Sequence, residues 1–466
     1  MSEYHPEQLN IVVLAAGLGT RMKSKLPKVM HALGGKPLLA HVLEQAKALN
    51  PSQIIVVYGH EGKVLQDAFS NEKITWVEQP DRQGTGDAVA KALPVIPDNQ
   101  HVLILYGDVP LIQHATLKKL ITKTSSALGL LTVNMGNPTG LGRIIRDNEG
   151  HILRIVEEKD ATTEEKAIRE TNTGIFFAQS SSLKKWINKL NNHNAQKEYY
   201  LTDIVQFAVQ EKVKVVTEYP QDIHETFGIN DKFQLAQLER HYQWMQVQKL
   251  LQAGVTMADP GRFDLRGTLD VGQDVFIDVN VVFEGKNRLG DDCVIGPNCM
   301  LINCELGNGV HVLANSHLEG ATVGDHARIG PFARLRPGAR LAKDSHIGNF
   351  VEIKNSTVGE GSKVNHLSYI GDTLMGKDVN VGAGTITCNY DGANKHQTII
   401  EDDVHIGSDT QLIAPVRVAK GATIGAGSTV SKDAPAYQLT LTQQLAPRSI
   451  DWQRPKKQLK PLKDDK

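Results

Sequence analysis

Ile329, Leu335, Leu341, Ile347 and Ile353 follow one another at a constant spacing of six. A helix repeats its face about every 3.6 residues, and a half-buried strand alternates every other residue. A column of aliphatics at period six instead suits a triangular parallel coil. Three short strands per coil each turn one aliphatic residue inward, where it stacks on the coils above and below. The cadence runs outward through Val271, Leu289, Ile295 and Leu301 on one side. On the other it runs through Val364, Ile370, Val381, Ile406, Leu412, Val418, Ile424 and Val430. One-residue slips fall between Ile353 and Val358 and between Ile370 and Met375. The pattern predicts a solenoid of roughly ten coils, each needing its neighbours to bury its column.

The solenoid cannot be the whole molecule, because 466 residues exceed one core and point to two or three domains. With 51 Lys and Arg against 52 Asp and Glu, no global field attracts nucleic acid or an acidic membrane. The opening MSEYHPEQLN is polar and acidic, and no apolar run reaches membrane-spanning length. We expect a cytoplasmic protein without a transmembrane segment. Cys293, Cys299, Cys304 and Cys388 form no CxxC pair, so reduced thiols are expected, with Cys293 and Cys299 packing inside the coils.

Ahead of the solenoid, the apolar run from Ile11 to Ala16 leads into Gly17, Leu18, Gly19, Thr20 and Arg21, with Lys28 soon after. Glycines after a buried strand let backbone N–H groups close on phosphate, and the two cations can neutralise it. A dinucleotide fingerprint would want a third glycine where Met22 stands, and a Walker loop would want Gly-Lys-Ser/Thr. A plain glycine-rich turn also stays open on the loop alone. Strand-like stretches at 53–59 and 101–111 alternate with helical ones at 37–49 and 86–93, predicting an α/β domain with a mainly parallel, Rossmann-like sheet. Ligands of such a sheet bind at the strand carboxyl ends. Asp108 falls there, placed to hold Mg²⁺ on a polyphosphate or simply to cap a turn. Asp231 to Gln252 reads as one long helix with Leu235, Leu238, Tyr242 and Met245 on a stripe and Gly254 as its stop.

LAAGLGTRM, LPKVM, EQPDRQGTGDA, YGDVPL, GLGRI, VEEKDA, NTGI and EYYLTD together resemble the sugar-nucleotide pyrophosphorylases, in that family's order. The hexad repeat resembles the left-handed β-helix of hexapeptide acyltransferases, and the handedness rests on that resemblance. Joined in one chain, they resemble the bacterial bifunctional family that combines N-acetylglucosamine-1-phosphate uridyltransferase with glucosamine-1-phosphate N-acetyltransferase. The resemblance implies a uridyltransferase domain at 1–230, a linker helix at 231–253 and a β-helix acetyltransferase domain with its tail at 254–466. It implies that UTP is lined by Leu14, Ala15, Ala16 and Gly17, read by Gln79, Gly84 and Thr85, and faced by Arg21 and Lys28. Leu18 departs from the Lys of many relatives. Gly142, Glu157, Asn172 and Asn230 would contact the sugar phosphate, and Asp108 and Asn230 would ligate Mg²⁺. The implied chemistry is attack of the sugar phosphate on the α-phosphorus of UTP, giving UDP-N-acetylglucosamine for cell-wall precursors, without a protein nucleophile.

For the β-helix, acetyl transfer from acetyl-CoA needs a base for the amine and donors for the thioester oxyanion. By resemblance His366 is the base and Glu352 orients it. Arg336, Lys354, Tyr369 and Asn380 hold the second sugar phosphate, and Ala383, Asn389, Tyr390, Ser408 and Ala426 meet acetyl-CoA. The aliphatic cadence lapses across 387–397, predicting an external loop. Gln443 occupies the place of a coenzyme-contacting Arg, with Arg448 nearby. The family also implies a homotrimer through the β-helix. Two rival readings are a single-activity nucleotidyltransferase with a structural or regulatory β-helix, and a non-enzymatic scaffold.

Overall fold

In the computed structural model, which describes residues 8–59, 62–124 and 127–442, the chain divides into two compact units. One runs up to Tyr242 and the other from Gln243 on. Gln443, Arg448 and the lysine-rich end lie outside the described residues.

In the first unit the strand Leu9–Ala15 can be apolar throughout because both its faces are covered. Ile11 and Val13 pack into a core with Leu39, Val42 and Leu43 of the helix Leu38–Ala48. Val12 and Leu14 face a second core with Ala88 and Val89 of the helix Thr85–Ala92. Along the sheet the strands run Val215–Glu218, Leu128–Asn134, Glu170–Gln179, His101–Tyr106, Leu9–Ala15, Gln53–Tyr58, Thr75–Glu78. From His101–Tyr106 to Thr75–Glu78 the pairing is parallel, as expected of a doubly wound half. Glu170–Gln179 is antiparallel to both its neighbours and also pairs with the hairpin of Arg143–Arg146 and Ile152–Val156, so the sheet as a whole is mixed.

The long helix is Lys232–Gln252, and the boundary between the units falls inside it. Leu238 and Tyr242 of the expected stripe are buried, while Leu235 and Met245 are half-buried. Past the helix the chain becomes the expected parallel solenoid. Ile329 pairs with Ile347, then Ile347 with Val364, Val364 with Val381, and Ile406 with Ile424. These steps are 17 or 18 residues long, so a slip is a coil one residue shorter. Leu341, Val358 and Met375 stay in one column across both slips. The step from Val381 to Ile406 takes 25 residues, and the excess is the loop that the lapse in cadence predicted.

The column is dry: Leu289, Ile295, Leu301, Ile329, Leu335, Ile347, Ile353 and Val364 are all buried in one core, with Val271 packed at its margin. Coils pack so closely that a Cβ on Gly348 would lie 2.0 Å from the carbonyl oxygen of Asn365 in the next coil. Cys293, Cys299 and Cys304 are free and buried in the same core, as expected. Burial pushes the Cys299 thiol up to about 11, which leaves it protonated and inert.

Candidate functional site

The glycine loop after the first strand turns on Gly19, whose φ of 59° lies in the left-handed region. A Cβ there would strike the Lys28 side chain at 2.7 Å, so the glycine lets Lys28 cross the loop. A cavity of about 410 Å³ opens beyond it, lined by Leu14, Ala15, Ala16, Gly17, Lys28, Gln79, Gly84, Thr85, Asp108 and Asn230. Of the nucleotide-binding residues expected from the sequence, only Arg21 is not on this wall. It is exposed on the short turn Thr20–Met22. Gln79 is buried and donates to the Gly84 carbonyl at 3.0 Å and to Asp87 at 2.7 Å, so its amide is fixed at the cavity wall.

A second cavity of about 560 Å³ adjoins the first, and Tyr106, Asp108 and Asn230 line both. Asn172 lines this second space, and its N–H donates to the Gly142 carbonyl at 2.9 Å. Gly142 backs onto Glu157, whose carboxylate would stand 3.3 Å from a Cβ at that position. Thr202 donates to Glu157 at 3.0 Å. Burial raises the Glu157 carboxyl above its ordinary range, and nearby carboxylates, Asp203 first, raise it further.

At the junction the Lys28 ammonium pairs with Asp108 and lies 3.3 Å from Asn230 Oδ1. Two oxygen donors from segments 122 residues apart thus converge on one cation. Hard oxygen ligands on a shared positive charge fit a divalent ion such as Mg²⁺.

On the β-helix the register gathers Arg336, Glu352, Lys354 and Tyr369 on adjacent coils of one sheet. Glu352 lies beside Tyr369, and Lys354 beside Gly371. Arg336 donates to Glu352 at 2.9 Å. His366 ends a strand of the other solenoid sheet, which also carries Asn380. Within the chain Glu352 is engaged by Arg336, and His366 Nδ1 lies 2.8 Å from Asn349 Oδ1 of the preceding coil. An amide oxygen can only accept, so this contact is a hydrogen bond in the tautomer that carries its proton on Nδ1 and leaves the Nε2 lone pair free. Ala383, Ser408 and Ala426 stand along one corner. Asp409 N donates to the Ala383 carbonyl at 2.7 Å, and Gly427 N to the Ser408 carbonyl at 2.8 Å. Asn389 is buried and donates to Asp372, while Tyr390 is exposed on the inserted loop.

Sequence reasoning missed Asn349, Asp372 and Lys395. Asp372 accepts from Asn355 at 2.6 Å and lies 3.7 Å from the Lys354 ammonium, linking that lysine to the inserted loop. Lys395 of the loop faces Lys354, whose charge lowers its pKa. Two lysines held this close favour a bound anion. Asn349 was findable: it stands 17 residues before His366, one coil back.

A family model for the MobA-like NTP transferase domain matches residues 11–143. Models for the bacterial transferase hexapeptide and for the hexapeptide repeat of succinyl-transferase match 397–432 and 286–319. Fold and sites therefore define a nucleotidyltransferase unit joined to a left-handed β-helix of the hexapeptide transferase class. The bifunctional protein GlmU of Cupriavidus taiwanensis is 54% identical over 453 residues, 97% of this chain and 100% of the relative. That of Methylococcus capsulatus is 55% identical over 448 residues, covering 96% and 97%. That of Azoarcus sp. is 52% identical over 451 residues, covering 97% and 100%. The chain belongs to the family of bifunctional GlmU proteins.

Proposed function

We propose that the chain is a bifunctional transferase. Its β-helix acetylates glucosamine 1-phosphate with acetyl-CoA, and its amino-terminal unit transfers UMP from UTP to N-acetylglucosamine 1-phosphate, releasing pyrophosphate. The observation that carries this reading is that one chain, aligned end to end with its relatives, holds a cavity pair meeting at Asp108 and Asn230 and, on its β-helix, an exposed histidine on one sheet and a cationic cluster on another. The assignment of a uridyltransferase part to 1–230, a linker to 231–253 and an acetyltransferase part to 254–466 belongs to the proposal.

In uridyl transfer the nucleotide takes the smaller cavity and the sugar phosphate the larger. The attacking phosphate oxygen and the α-phosphorus meet at the junction. Asp108 and Asn230 would hold Mg²⁺, which supplies charge neutralisation on the phosphates. Lys28 and Arg21 would face the triphosphate, Lys28 from across the glycine loop and Arg21 from the turn beside it. Gly142, Glu157 and Asn172 grip the sugar.

In acetyl transfer His366 Nε2 takes a proton from the amine as the amine nitrogen attacks the thioester carbonyl, the C–S bond breaks as the amide forms, and the proton passes to the departing coenzyme A thiolate. Arg336, Lys354, Tyr369 and Asn380 hold the phosphate, with Lys395 adding charge. Glu352 shields Arg336 until phosphate displaces it. Ala383, Ser408 and Ala426 give the coenzyme a flat, small-residue edge, with Asn389 and Tyr390 at its end. A homotrimer would bring neighbouring prisms around this edge. The stacked, exposed rings of Phe332 and Phe350, 5.2 Å apart, and exposed Leu367 on the next coil support it. A cytoplasmic location is part of the proposal and rests on the family; no helix among the described residues is long and apolar enough to cross a membrane.

A split assay tests the proposal. Glucosamine 1-phosphate and acetyl-CoA should release thiol, and N-acetylglucosamine 1-phosphate and UTP with Mg²⁺ should release pyrophosphate. Pyrophosphate without thiol would reduce the β-helix to a scaffold.

A further inference from the structure

Asp222, His224 and His241 carry none of the roles assigned above, and their ligand atoms all lie within 4.8 Å of one another. His224 Nδ1 stands 2.7 Å from Asp222 Oδ1, and His241 Nε2 stands 2.9 Å from Asp222 Oδ2. The two imidazoles stack with centroids 3.8 Å apart. His241 Nε2 is buried, and the Asp222 carboxylate is the acidic group beside it. Burial and the neighbouring His224 lower the His241 pKa, which favours the neutral, metal-binding imidazole.

The group is also rigid on both sides. Asp222 caps the turn Ile223–Thr226, and buried Glu225 completes the capping box by accepting from the Asp222 N–H at 3.3 Å. His241 belongs to the helix Lys232–Gln252. Gln234, Gln237 and Leu238, one and two turns before it, line the larger cavity, as does His224.

We infer that Asp222, His224 and His241 form a binding site for a borderline divalent cation of the zinc type, distinct from the Mg²⁺ position at Asp108 and Asn230. Two imidazole nitrogens and one carboxylate oxygen are a preferred zinc donor set, with water completing a tetrahedron, whereas Mg²⁺ prefers oxygen alone. The bound ion joins the turn at 222–226 to the helix from 232. It thereby fixes the ends of the segment carrying Gly228, Ile229 and Asn230 on the cavity wall. The other such cluster among the described residues, Asp147, Glu149 and His151, sits on an exposed hairpin turn and serves as the control.

The test is calorimetric titration of the full-length, chelator-treated protein with Zn²⁺ in excess Mg²⁺, which keeps the Asp108 position filled. Co²⁺ is then added as a spectroscopic probe, and Zn²⁺-dependent melting is followed alongside. We expect one saturable site per chain, a visible ligand-field band with Co²⁺ and a melting temperature raised by Zn²⁺. His241→Gln and His224→Gln should each weaken binding at least ~10-fold, no less than loss of an outer partner of a metal ligand would, and abolish the band. His151→Gln should change neither. Circular dichroism confirms that each variant is folded. Absence of a saturable site, or equal Zn²⁺ affinity in wild type and folded His241→Gln, would overturn the inference.

Discussion

His366 shows how much a single neighbour decides. In the proposed acetyl transfer a free Nε2 lone pair goes with a proton held on Nδ1, and Nδ1 lies 2.8 Å from Asn349 Oδ1. His366→Ala should lower acetyl transfer by roughly 10²–10⁴, the usual worth of a general base. Asn349→Ala should lower kcat by about tenfold or more with little change in KM for acetyl-CoA, since it frees the ring without touching substrate. A thiol-release assay at varied acetyl-CoA separates the two parameters. Asp203 makes a different case. Burial, with Asp160 beside it, raises its pKa from 3.8 to about 6. Below pH 3.8 the group is neutral in folded and unfolded chains alike and costs nothing. As pH rises through about 6 the folded chain must carry a disfavoured charge, so stability falls. Asp203→Asn should therefore raise the melting temperature above pH 6, with the gain vanishing as pH approaches 4.

At the scale of elements, the solenoid answers to its column and the α/β unit to its sheet. Ile353 is fully buried between Leu335 and Ile370 in register. Ile353→Ala should cost about 2–5 kcal/mol, measured by denaturant unfolding of the β-helix signal. Because each coil is stable only through its neighbours, the loss should spread to the flanking coils that carry Arg336 and Tyr369. Period six was legible because one residue type recurs at one position in every coil. The antiparallel sense of the strand Glu170–Gln179 was not, since an apolar run such as IFFA suits a parallel or an antiparallel neighbour and only its partners set its sense.

For the molecule as a whole, two units with separate cores imply two separable chemistries. Asp108→Ala should abolish pyrophosphate release and leave thiol release intact, and His366→Ala should do the reverse. Measuring both reactions on both proteins checks this, and loss of both activities in either variant would contradict it. The sequence by itself determined the solenoid, the glycine loop after the first strand and the long helix. Each rests on a local repeat or on residues adjacent in the chain, whose geometry the backbone fixes. Only the tertiary structure decided that Asp108 and Asn230 meet over one ammonium, that Asn349 lies against His366, and that Asp222 stands between two histidines. Hydrogen bonds and ion pairs act over about 3 Å. Which distant groups come that close depends on chain closure and packing, and no spacing along the chain encodes it.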